Sequence, residues 1–78
     1  MVARFVLWSL ADTGVSVAEL RPELPQNDNE TWFADEHTER LGSFAVFADT
    51  DAASEPLPER LLELIGKDPD LVELFDVA

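Results

Sequence analysis

His37 is the one side chain whose ordinary pKa lies near neutrality, so it is the first candidate for a general base. It stands in "DEHTER", residues 35–40, where neighbouring carboxylates favour its charged form. A solvated, charged histidine is a poor base, and a structural place at a polar tip is the stronger reading of the residues. Arg4 is the second candidate, a cation inside the apolar run "VARFVLW". It can neutralise an anionic ligand or pair across strands with Glu73 or Asp76, and the cross-strand pair is the simpler expectation. The third group is aromatic. Trp8, Trp32, Phe33, Phe44 and Phe47 could wall an apolar ligand pocket, although tryptophans of this kind more often anchor a core or an interface.

Other chemistries lack their residues. The sequence has no cysteine and one histidine, which removes disulfides, thiolate metal sites and the usual zinc sets. "DTD" at 49–51 begins like a calcium loop but lacks the required glycine and the later glutamate. There is no phosphate-cradling glycine loop, nucleophile elbow or dinucleotide fingerprint. The expectation is a site with no metal and no cofactor.

Five basic residues against seventeen acidic ones give a formal charge of −12 over 78 residues. Such a surface repels nucleic-acid phosphates and anionic lipid headgroups, so neither partner is expected. The acidic excess reads first as a solvating shell, and second as a docking surface for a basic partner. The apolar run "FVLW" before Ser9 is too short for a signal h-region or a membrane span, and with no cysteine the expected location is the cytoplasm.

The elements that must position these residues follow from periodicity. Residues 2–10 read as a strand, ended by the turn formers "ADTG". "SVAE" at 16–19 fits a capping box opening a short helix over 16–24, which Pro22 and Pro25 curtail. Residues 31–34 and 43–49 read as strands of a hairpin with a long polar tip. A second helix follows Pro58, with Leu57, Leu61, Leu64 and Ile65 in one stripe and Gly66 closing it. Residues 71–77 form the last strand. The whole chain, 1–78, is one α+β domain of order β-α-β-β-α-β. This is the ferredoxin-like plan, a four-stranded antiparallel sheet with two helices on one face.

That plan leaves one sheet face open, yet the strands are apolar on both faces. In "GSFAVFAD" the alternation puts Phe44 and Val46 on one side and Ala45 and Phe47 on the other. A contiguous open apolar face marks an association surface. Burying about 600 Å² per subunit at about 25 cal/mol/Å² contributes roughly 15 kcal/mol gross per subunit, before the cost of association. A core this small supplies only a few kcal/mol by itself. A two-fold homodimer joined sheet to sheet is therefore expected.

"ETWFADEHTERLGSFAVF", 30–47, resembles the middle of the YdhR-type mono-oxygenases of the dimeric α/β-barrel superfamily, which also holds the antibiotic-biosynthesis mono-oxygenases. The similarity lies in Trp32, the acidic Asp35–Glu36 tip, Gly42 and the aromatic strand to Phe47. "RFVLWSLADTGVSVAELR", "PLPERLLELIGKDPDLVELFDV" and "ELFDV" are similar to the family's first strand and helix start, second helix and closing strand. The resemblance rests on order and spacing, and the first helix is shorter than the family's. It implies a dimeric α/β barrel and a cofactor-independent mono-oxygenase-like protein that acts on, or binds, a small apolar or aromatic molecule. The alternative on the same fold is a non-catalytic small-molecule-binding or protein-interaction module.

Overall fold

The computed structural model describes residues 1–25 and 28–78. Four strands form one antiparallel sheet: β1 (Val2–Ser9), β2 (Glu30–Asp35), β3 (Arg40–Phe47) and β4 (Leu71–Asp76), in the spatial order β2-β3-β1-β4. The fold is thus a small α+β arrangement compatible with the ferredoxin-like plan. Among the described residues three short α-helices join the strands: α1 (Val17–Leu20), α2 (Thr50–Ala53) and α3 (Glu59–Ile65).

The hairpin differs from its sequence expectation. The strands run further toward the tip, because Asp35 pairs with Arg40 in the ladder and their side chains form an ion pair at 3.8 Å. Glu39 reverses the chain with φ of +52°. It also ties the tip to the rest of the fold. Its carbonyl accepts from the Leu10 amide at 2.7 Å, and its carboxylate accepts from the Val17 amide at 2.9 Å.

The first helix is a single turn. Ser16 Oγ accepts from the Glu19 amide, as a cap should. The return bond of the expected box is replaced by Ser16 Oγ donating to the Glu19 carboxylate at 3.2 Å. Pro22 then converts the chain to a 3₁₀ turn, Arg21–Glu23, since it has no amide to continue the α ladder. Val17 and Leu20 are fully buried and pin this turn to the sheet.

After β3 the chain makes a helix that periodicity did not indicate. Asp49 caps α2 by accepting from the Ala52 amide at 2.8 Å. "SEPLP" then crosses to α3, which starts after Pro58 and ends at Gly66 with φ of +83°. That left-handed ending is natural to glycine. Leu61 and Ile65 of α3 join Val6, Trp8, Leu10, Val17, Leu20 and Leu41 in one apolar cluster. Every helix lies on the sheet face that carries Val6, Trp8 and Leu41.

The other face is open. The register places Ala3, Phe5 and Leu7 of β1 beside Gly42, Phe44 and Val46 of β3, Thr31 and Phe33 of β2, and Leu71, Glu73 and Phe75 of β4. Phe33, Phe44 and Phe75 are 38%, 44% and 53% exposed. At the β4 edge the helix side is uncovered too, and Val72 and Leu74 remain exposed there. The helices are too short to reach it.

Candidate functional site

Strand alternation divides the predicted aromatic set between two faces. Trp8, Trp32 and Phe47 stand on the helix side, while Phe33 and Phe44 stand on the open side. The sequence grouped them as one wall, and the sheet separates them.

Trp8 is wholly buried, stacks on Trp32 with centroids 6.4 Å apart, and donates from Nε1 to the Lys67 carbonyl at 3.3 Å. The space around it is filled by leucines, valines and Ile65, so Trp8 is a core residue. His37 stands at the exposed hairpin tip, where its amide donates to the Asp35 carboxylate at 2.9 Å. The Thr38 hydroxyl, first, and the Thr38 and His37 amides hold the Asp35 carboxyl below the usual carboxylate range. None of the described clefts includes His37.

Arg4 is where charge meets a cleft. Its expected partners were Glu73 or Asp76. The register instead puts Glu73 beside Phe5 on the open face, and Arg4 pairs with Glu30, two strands away across Ala45. The Arg4 Nη2 to Glu30 Oε2 distance is 3.5 Å, with the two side chains 7% and 8% exposed. Nη1 donates to the carbonyls of Ala53 at 3.2 Å and Glu55 at 2.8 Å. The guanidinium carbon lies 4.9 Å from the Phe47 ring centroid, within cation–π range. Arg4 therefore straps the end of α2 and the "SEPLP" crossing to the sheet.

A cleft of about 260 Å³ opens on this pair, lined by Arg4, Glu30, Phe47 and Glu55 with Pro25, Pro56 and Pro58 among its walls. A second cleft, about 290 Å³, lies on the other side of Arg4 and Glu55, between Leu57 and the exposed Val72 and Leu74. Ser43 and Trp32 sit in the next row of the same face, and Ser43 Oγ, Trp32 Nε1 and Arg4 Nε are buried without a hydrogen-bond partner among the described residues. Polar atoms so placed are uncommon and cluster at sites of function or strain.

Glu30 was not singled out by the sequence. It opens a strand after a polar loop and reads as one more surface acid. Only the strand order reveals that it faces Arg4. On the open face a third hollow, about 200 Å³, is bounded by Phe5, Leu7 and Phe33.

Compared with known proteins, the chain matches no family model and no curated protein. No helix among the described residues is long and apolar enough to cross a membrane.

Proposed function

We propose that the chain works as a homodimer joined through its open sheet face, in the manner of a ferredoxin-like dimeric α/β barrel, and serves as a non-catalytic binding or interaction module. The observation that carries this reading is the composition of that face. A chain of charge −12 keeps it nearly free of charge: among the described residues only Glu73 and, at one end, the Asp35–Arg40 pair interrupt Phe5, Leu7, Phe33, Phe44, Val46, Leu71 and Phe75. Identical acidic molecules can approach each other only where their acids are absent. The hollow beside Phe33 offers a socket for a side chain of the second copy. Sedimentation equilibrium tests the dimer. Twice the 8.7 kDa chain mass is expected, with Phe44→Glu returning a monomer. A monomer at every concentration up to about a millimolar overturns it.

The mono-oxygenase-like reading is second and rests on one observation, the cleft bearing the buried Arg4–Glu30 pair beside Phe47. That cleft, rather than a tryptophan pocket, is where a small apolar or aromatic molecule would be held. The filled core around Trp8 and the exposed tip position of His37 favour binding over oxygenation. Oxygen uptake with a panel of quinols is the test. Turnover that Phe47→Ala abolishes establishes the enzyme, and a uniformly negative panel leaves the binding module.

A further inference from the structure

We propose that the Arg4–Glu30 cleft takes a small, ring-bearing organic cation whose ammonium donates to the Glu30 carboxylate. This rests on the reading of that cleft as a binding site.

The argument starts from what each charged group has left to offer. Arg4 is committed: Nη1 serves two carbonyls, Nη2 faces Glu30, and the guanidinium lies against Phe47. Its Nε is buried without a partner among the described residues. Of its five donors only the second Nη2 hydrogen is left toward the cleft, and it sits beside the Glu30 carboxylate, which repels an anion. Glu30 is the reverse case. Its side chain is more than nine-tenths buried, yet its only partner among the described residues is Arg4, through Oε2 at 3.5 Å. Charge-assisted bonds of this type usually close to about 2.7–2.9 Å, and an ionised carboxylate accepts at about four lone-pair positions. Among the described residues Glu30 thus keeps acceptor positions beyond its Arg4 contact, on the wall of the cleft.

The surroundings select the sign and shape of the ligand. Glu30 and Glu55 outnumber Arg4 along the cleft, and the −12 field of the whole chain concentrates cations near it. Pro25, Pro56, Pro58 and Phe47 supply rigid apolar walls that cost little entropy to order. The volume of about 260 Å³ lies just under the common range for ligand sites, about 300–1,000 Å³, and suits one ring better than a fused system.

Three probes that differ only in charge test this: benzylamine, benzyl alcohol and benzoate, each titrated at low salt into the full chain while backbone amide NMR shifts are followed. Benzylamine is expected to shift the amides of Glu30, Ala45 and Phe47, benzyl alcohol to bind more weakly, and benzoate to leave them unmoved. Glu30→Gln is expected to weaken benzylamine by about tenfold or more, the loss of one charged hydrogen bond. Benzoate binding as tightly as benzylamine overturns the proposal, as does a folded Glu30→Gln that binds benzylamine unchanged. If that variant does not fold, the three-probe ranking on the unaltered chain still decides. Benzyl alcohol matching or exceeding benzylamine overturns the cation inference and leaves the cleft a binding site. If none of the three shifts these amides, both fail. The dimer is measured separately and is touched by neither result.

Discussion

The ring of Phe33 lies over Gly42, its direct partner across the β2–β3 ladder, and stacks on Phe5 with centroids 5.5 Å apart. A Cβ on residue 42 would stand 2.5 Å from Phe33 Cζ and 2.5 Å from the Val6 carbonyl oxygen. The glycine is what lets an aromatic side chain lie flat on the open face. Its φ is not in the left-handed region, so the constraint is space alone.

Gly42→Ala should therefore displace the Phe33 ring and strain the β1–β3 ladder, costing about 1–3 kcal/mol by analogy with overpacked cores. Urea unfolding measures it. Because the ring belongs to the proposed dimer surface, the same variant should also weaken association. A stable, fully dimeric Gly42→Ala would contradict the packing.

Arg4→Met should be strongly damaging on the helix face. It strands the Glu30 carboxylate in a buried site and frees the carbonyls of Ala53 and Glu55. Removing one member of a buried pair costs about 3–5 kcal/mol, whereas replacing both is far milder. Arg4→Met/Glu30→Met should thus regain much of the urea midpoint lost by Arg4→Met alone.

Acid should weaken the β1–β4 end of the sheet. The Ser9 amide at 2.7 Å, and then the Lys67 ammonium, hold the Asp70 carboxyl below its usual range. A depressed carboxylate stabilises the fold above its unfolded pKa, about 3.9, and that contribution is lost as pH falls through the lower folded value. Lys67 is shifted upward by Asp70 and then Asp12, so its contribution is lost only in strong alkali, as pH rises through the raised value. Asp70→Asn keeps an acceptor for Ser9 and removes the charge. The stability gap between the two chains should be present at pH 6 and should close below about pH 4, read as urea midpoints.

His37→Ala should leave unfolding within about 0.5 kcal/mol of the unaltered chain, because the ring is exposed at the tip. It should also leave benzylamine binding unchanged. A large effect on either would restore the histidine as a functional group.

The presence of four strands was legible because valine, phenylalanine and tryptophan recur with period two and prolines and glycines punctuate them. The lower limit of β3 was not, since Arg40 and Leu41 follow a polar tip and only cross-strand pairing with Asp35 and Ala34 makes them strand. The α2 helix escaped notice because one turn carries no periodicity, and it forms on its Asp49 cap. Arg4 announced itself as a charge in an apolar strand. Glu30 could not, because its meeting with Arg4 passes across β3 and depends on sheet order, which local patterns do not encode. The open face was visible as strands greasy on both sides, and two helices could never have covered both.

The seating of β4 has a bearing on how the chain assembles. β1 is the hub of the sheet, with β3 on one flank and β4 on the other, and the β4 partner lies some seventy positions further along the polypeptide. During synthesis one whole flank of β1 stays ragged until Leu71–Asp76 emerges from the ribosome. The hairpin and first turn can gather earlier, but the sheet closes late, on a strand that the helices never touch firmly.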